Sequence, residues 1–265
     1  MPEGHTIHRL AREHNARLRG RPLALSSPQG RFASDAAALS GRALERVRPY
    51  GKHLFYELAH DEVVHVHLGI YGKFETHAAP APYPRGAVRL RIATSDHVID
   101  LRGPTVCERI RPEERDAILA RLGPDPLDPK ADPERLWRKA SRRTTPIGTL
   151  LLDQSAIAGV GNVYRAEALY VLGIAPQRPA NTLTREEFDA LWATLVRMMR
   201  TGVRLDRIVT TEPEDRDRRR GRPSDADRHY LWRRTDLPCR RCGEPIRSEV
   251  LGARHMYWCP VCQPG

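Results

Sequence analysis

The chain has 265 residues, a formal net charge of +11 and a sequence pI of about 9.9. That length allows a real core and more than one domain. No apolar run approaches the ~20 residues that cross a bilayer, and no signal peptide opens the chain, so a spanning or secreted protein is excluded and a cytosolic one expected. Arg far outnumbers Lys, and its planar fork favours a polyanionic partner, nucleic acid before membrane surface.

In chain order, Met1-Pro2-Glu3-Gly4 comes first. Initiator Met is normally trimmed before a small residue such as Pro, which leaves Pro2 with a free secondary amine. An α-amino group titrates near ~7.7–8.0, against about 10.4 for lysine, so at neutral pH a useful fraction of it is nucleophilic. A secondary amine forms an iminium with an aldehyde carbon and then acts as an electron sink. Glu3 stands beside it, placed to move protons. The same residues also suit a plain helix start, with Pro in the first turn and Glu at the positive pole. Ile7, Leu10, Ala11 and Leu18 mark one face of a helix from Pro2 to about Arg19, stopped by Gly20. His5 and His8 have no evident third ligand and read as solvent-facing.

Residues 22–102 read as short strands between turn residues: Pro22–Leu25, Leu44–Arg48, Lys52–Leu58, Val63–Ile70, Val88–Ala93 and His97–Leu101. Alternation puts Val64, Val66 and Leu68 on one side of a strand and His65 and His67 on the other, a half-exposed face. Lys52 follows a turn and reads as solvated. Ile70 and Tyr71 lie in a glycine-flanked loop, either tucked into a core or held out as a wedge, and the residues alone favour the core. Cys107 is isolated and reads as a small buried hydrophobe.

Arg121-Leu-Gly-Pro-Asp-Pro-Leu-Asp-Pro129 is the best domain boundary, because its prolines and glycine stop regular structure. Helical periods follow at Pro133–Lys139, Ile147–Gln154, Val163–Leu172 and Arg185–Met199, the last capped by Thr184. The turn Gly159-Val-Gly-Asn162 feeds a helix N-terminus and has the form of a phosphate-binding device, although glycines also permit tight packing. Residues 206–228 are dense in both charges and read as a mobile surface loop. In the tail, Cys239-x-x-Cys242 and Cys259-x-x-Cys262, sixteen residues apart, match a four-thiolate zinc site. Four thiolates leave no open position, so one structural zinc per chain is expected. The residues between the pairs form a hairpin whose tip carries Arg254.

Taken together, these residues resemble the formamidopyrimidine-DNA glycosylase/endonuclease VIII family over the whole chain. The resemblance rests on Met1-Pro-Glu-Gly, Gly-Lys52, the Arg121 boundary motif, Asp153-Gln154, Gly159-Val-Gly-Asn162-x-Tyr-Arg-x-Glu167-x-Leu, and Arg254-x-x-x-Trp-Cys-Pro-x-Cys-Gln. It implies an α+β, multidomain protein: an N-terminal helix plus β-sandwich (1–122), a linker (123–133), a helix–two-turn–helix DNA-binding domain with the mobile charged loop 206–228 (134–228), and a four-Cys zinc finger (229–265). Damaged DNA would lie in the cleft between the two halves of a monomer working at the bacterial nucleoid. The resemblance further implies that Pro2 attacks C1′ of a flipped nucleotide, that Glu3 is the general acid/base, and that Lys52 assists proton transfer and holds phosphate. Arg121, Asn162 and Arg254 would grip the backbone, with Arg254 also supporting the second elimination. Ile70 and Tyr71 would fill the gap left by the flipped base.

Two departures bear on the substrate. Pro-Glu-Gly-His-Thr replaces the Pro-Glu-Leu-Pro-Glu of the formamidopyrimidine branch, which points to endonuclease VIII and oxidised pyrimidines. Asp100-Leu-Arg102-Gly-Pro104 stands where the purine branch has Asp-Pro-Arg-Arg-Phe, so that branch's insertion pair is incomplete. A formamidopyrimidine-preferring glycosylase, a non-catalytic damage-binding protein and an unrelated zinc-ribbon DNA-binding module are the alternatives.

Overall fold

The structure is a computed structural model that describes residues 2–217 and 220–265. Met1 of the opening motif and Arg218 and Arg219 of the charged loop lie outside the described residues. The chain forms two compact units: residues 2–3 with Ile7–Arg121, and Gly4–Thr6 with Leu122–Gly265.

The first unit is a β-sandwich with one long helix. Helix α1 (Gly4–Leu18) buries Ile7, Leu10, Ala11 and Leu18, the stripe its periodicity predicts, and ends before Gly20, whose φ of +77° suits the stop. Strands β1 (Ala24–Ser26), β6 (Val88–Ala93), β7 (His97–Arg102) and β5 (Lys73–Ala78) form one antiparallel sheet in the order β1-β6-β7-β5. Strands β2 (Leu44–Tyr50), β3 (His53–Leu58), β4 (Glu62–His67) and β8 (Val106–Ile110) form the other, in the order β2-β3-β4-β8. The two sheets share one core: Leu54, Tyr56, Val64 and Val66 from the second meet Leu90, Ile92, Ile99 and Leu101 from the first.

Four elements of this unit escape a reading by periodicity. Helix α2 (Ala33–Leu39) is short and alanine-rich, and helix α3 (Pro112–Ala120) buries no residue, so neither has a full apolar stripe. Strand β5 is an exposed edge without clean alternation, and β8 pairs with β4 while burying only Ile110. Lys52 lies in the turn before β3, and β4 ends at His67. The face expected to be half exposed buries His65 and leaves His67 half-buried.

The second unit is helical. It comprises α4 (Glu134–Ala140), α5 (Ile147–Leu150), α6 (Asn162–Val171) and α7 (Arg185–Leu205), followed by the hairpin β9 (Arg247–Leu251) and β10 (Arg254–Trp258). Thr184 caps α7 reciprocally: Glu187 N–H donates to the Thr184 hydroxyl at 3.2 Å, and Thr184 N–H donates to the Glu187 carboxylate at 2.8 Å. Helix α6 is the hub, buried from Asn162 to Tyr170 and packed against α7 and β10. Its Glu167 carboxylate is fully buried and accepts from the Thr210 hydroxyl and from the backbone N–H groups of Tyr230, Leu231 and Trp232. Both flanks of the charged loop are therefore anchored on one carboxylate, and Val209 to Thr211 are buried. Among the described residues no helix is long and apolar enough to cross a membrane.

Candidate active site and zinc hairpin

Glu3 caps the N-terminus of α1 in extended conformation (φ −118°, ψ 179°) and is fully buried, while Pro2 is half-buried. Gly4 explains why a glycine follows. Its N–H donates to the Gly159 carbonyl at 2.9 Å, and a Cβ there would lie 3.0 Å from Gly159 Cα and 2.7 Å from Met199 Cε. His5 is buried, against the solvent-facing expectation, because Tyr164 packs on it edge-to-face at 5.4 Å.

Of the other predicted residues in the first unit, Lys52 is half-buried at its turn, and Arg121 is exposed at the C-cap of α3. Ile70 is 50% exposed and Tyr71 85% exposed, so the expectation that they are tucked into a core does not hold. The loop is tight enough to hold them out: Gly72 N–H donates to Leu68 O at 2.9 Å, and Gly69 has φ +65°. Cys107 is only half-buried, packs against the sandwich core, and burial pushes its thiol up to about 12.

In the second unit, Asn162 opens α6, and its Nδ2 donates to the His255 carbonyl at 2.8 Å. Its Oδ1 accepts from Arg165 Nε at 2.9 Å. Arg165 is fully buried and spreads its remaining donors over the carbonyls of Gly148 (2.7 Å), Leu251 (3.1 Å) and Arg254 (3.3 Å). The pair thereby fixes the hairpin that presents Arg254, whose side chain is exposed at the first residue of β10. Residue pattern gives no reason to single out Arg165 or Gln154, although both lie inside the family motifs. Gln154 accepts from Gly159 N–H at 3.0 Å and donates to Val160 O at 2.9 Å, and Ala158 N–H donates to Pro124 O. The Gly159 amide and the Ala158 amide before it are thus spent on protein.

The four cysteine sulfurs lie within 4.8 Å of one another, with Cys239–Cys262 at 3.8 Å and Cys242–Cys259 at 3.4 Å. A tetrahedron with Zn–S bonds of ~2.3 Å has S···S edges of roughly 3.8 Å, so the tetrad fits a structural zinc. The Tyr170 hydroxyl, 3.0 Å from Cys239 Sγ, supports it from α6. Beside the charged loop, a cavity of about 690 Å³ is lined by Arg197, Arg204, Arg207, Arg216 and Arg222. Burial, then Arg222 and Arg228, press the Arg207 guanidinium down, while Glu212 in the same lining pairs with Arg197 at 3.3 Å.

A β-sandwich with a proline–glutamate N-terminus, a helix–two-turn–helix unit and a four-cysteine hairpin define the DNA glycosylases that also cleave at abasic sites. The chain belongs to the formamidopyrimidine-DNA glycosylase/endonuclease VIII family. It matches the formamidopyrimidine-DNA glycosylase N-terminal domain over residues 1–106, the H2TH domain of the same glycosylase over 122–214, and the zinc finger found in FPG and IleRS over 236–265. It is 50% identical over 270 residues to "Endonuclease 8 1" of Mycobacterium tuberculosis, covering 99% of this chain and 100% of that one. It is 30% identical to the formamidopyrimidine-DNA glycosylase of Desulfitobacterium hafniense, covering 99% and 98%. In fold it is similar to Lactococcus lactis Fpg in complex with DNA containing an abasic site, with a TM-score of 0.83, 21% identity and coverage of 99% and 100%.

Proposed function

We propose that the protein removes oxidised pyrimidines from DNA and cuts the strand at the resulting abasic site, as a monomer in the bacterial cytoplasm. The observation that carries this reading is the buried Glu3 directly after Pro2 at the start of α1. Once Met1 is removed, the Pro2 nitrogen attacks C1′, the C1′–N bond breaks, and the base leaves with a proton supplied through Glu3. Sugar ring opening gives the iminium. Loss of the C2′ proton then expels the 3′ phosphate, and a second elimination expels the 5′ phosphate. Lys52 serves proton transfer and phosphate binding, Arg121, Asn162 and Arg254 bind the backbone, Arg254 assists the second elimination, and Ile70 and Tyr71 occupy the vacated stack.

The pyrimidine preference is supported by the likeness to the mycobacterial endonuclease 8 at 50% identity, against 30% for the Desulfitobacterium glycosylase. A formamidopyrimidine preference is the second reading, favoured by the endonuclease 8 of Enterobacter being no nearer, at 31%. Paired duplexes carrying one lesion or the other decide it: faster excision of the oxidised pyrimidine supports the first reading, and faster excision of the formamidopyrimidine overturns it.

A further inference from the structure

Helix α7 presents two different sides. One packs against the start of α1: a Cβ on Gly202 would meet the Tyr164 hydroxyl and, at 3.0 Å, His5 Cγ, and a Cβ on Gly4 would meet Met199 Cε at 2.7 Å. At about 100° per residue, Arg197, Thr201 and Arg204 fall on the opposite side of the helix. There they line the cavity of about 690 Å³, together with Arg207, Arg216 and Arg222 from the segment that follows α7. A second groove, of about 580 Å³, shares Arg197, Thr201 and Arg204 with it and adds Arg200 and Trp192. The concave surface therefore continues along α7.

Little negative charge answers these arginines. Arg197 pairs with Glu212 at 3.3 Å, the one carboxylate of the lining among the described residues. Arg216 is braced: its Nε donates to the Thr211 hydroxyl at 2.9 Å and its Nη2 to the Thr211 carbonyl, which fixes the fork without neutralising it. Arg204, Arg207 and Arg222 form no ion pair among the described residues. Carboxylates of the same loop serve arginines outside the cavity, Asp225 with Arg228 at 3.4 Å, Asp217 with Arg240 at 3.5 Å and Asp215 with Arg241 at 3.6 Å. The negative pole of α7 is worth only about half a charge. Five guanidinium groups thus surround one concave space against one carboxylate and that pole, an arrangement that favours entry of an anion.

The residue type and the shape narrow the anion. A guanidinium fork matches two oxygens of a phosphate, where a lysine offers a point charge. Arg197 and Arg204 are about two turns apart on α7, roughly 10.5 Å, and the cavity runs on into the groove. Phosphates in a row fit that spread better than a single one.

We propose that this cavity binds a chain of phosphates, carried by a free oligophosphate or by consecutive links of a nucleic-acid backbone, at a site sharing no residue with the chemistry described above. Arg204, Arg207 and Arg222 supply the charge, Arg216 is a fixed fork, and Glu212 holds Arg197 at the rim.

The test is calorimetric titration of the full-length protein with tripolyphosphate at low salt. One bound molecule per chain is expected. Arg204 and Arg222 are exposed, so their variants should fold, which an unchanged melting temperature checks. Affinity should fall about tenfold in the double variant Arg204→Gln/Arg222→Gln. It should fall about threefold in Arg204→Lys/Arg222→Lys, which keeps the charge and loses the forks. Absence of saturable binding, or equal binding by the glutamine pair, overturns the inference. So does undiminished affinity in the lysine pair, because diffuse charge alone would then account for the binding. A lesion-free single strand separates the two sources. Weaker strand binding with a shallower salt slope in the glutamine pair assigns the site to backbone phosphates, and unchanged strand binding with lost tripolyphosphate assigns it to a free oligophosphate. No arm reads excision or strand cleavage, so failure of the proposed activity and failure of this inference are separate results.

Discussion

Asn162 Nδ2 donates to the His255 carbonyl at 2.8 Å, so the first residue of α6 is tied directly to the hairpin strand that begins at Arg254. Asn162→Ala removes the shorter of the two donors to that carbonyl, which keeps Arg165 Nη2 at 3.5 Å, and leaves the buried Arg165 Nε without its acceptor, a loss of about 1–3 kcal/mol. The expected outcome is a lower urea midpoint together with slower strand cleavage, because the hairpin no longer holds Arg254 in register. An unchanged midpoint would refute this account of the tie.

Gly4→Ala probes the start of α1. The new methyl meets Gly159 Cα at 3.0 Å, a backbone atom that cannot swing away as Met199 Cε can. Overpacking of this kind costs about 1–3 kcal/mol, and it shifts Glu3 and Pro2, the residues immediately before it. Melting temperature and borohydride trapping should fall together; trapping at wild-type levels would show that the methyl is accommodated.

Pro2 and Glu3 should separate in function. An abasic site already carries an aldehyde, so attack there needs no help in expelling a base. Glu3→Gln is expected to lose excision of oxidised bases while keeping strand cleavage and borohydride trapping at a preformed abasic site. Acetylating the terminus or retaining Met1 should abolish both activities, because an amide nitrogen has no available lone pair. Mass spectrometry of the trapped peptide checks the assignment, and an adduct mapping to Lys52 in place of Pro2 contradicts it.

Metal analysis should find one zinc per chain. Cys259→Ser removes a buried ligand, so the variant should lose zinc, disorder the hairpin that carries Arg254, and bind DNA more weakly. Full DNA affinity in zinc-free protein would show that the hairpin does not depend on the metal.

Acid should destabilise the first unit through its buried histidines. Burial, then Arg17 and Arg9, lower His14 to about 3, and its Nδ1 lies 2.6 Å from the Tyr56 hydroxyl. Below the unfolded value of 6.5 the unfolded chain binds a proton that folded His14 refuses. Stability therefore falls as pH drops from about 6.5 toward 3, by up to about 1.4 kcal/mol per pH unit for each such group. Urea titrations between pH 7 and pH 4 should show a shallower fall in His14→Gln than in wild type, from a lower starting stability because the Tyr56 contact is altered. Equal slopes would mean that His14 is not held neutral.

Much of the chain was legible because its signals are local. The stripe on α1, the Thr184 cap with Glu187 three residues on, the alternation of β6, and the paired cysteines all lie within a few residues of their own partners. The family motifs were legible for the same reason, since each is a short run of adjacent residues. What remained hidden depends on partners far along the chain. His65 meets Glu108 43 residues away, Glu167 reaches Trp232 across 65, and Arg165 reaches Leu251 across 86. By composition each of these polar side chains belongs on a surface, and only the folded chain supplies the acceptors and donors that let it be buried. The amino-acid order by itself therefore determined the elements with a strong local period, the zinc ligands and the family. Tertiary structure decided which polar residues are buried to support the site, because burying such a group is tolerable only where distant backbone and side-chain partners satisfy it.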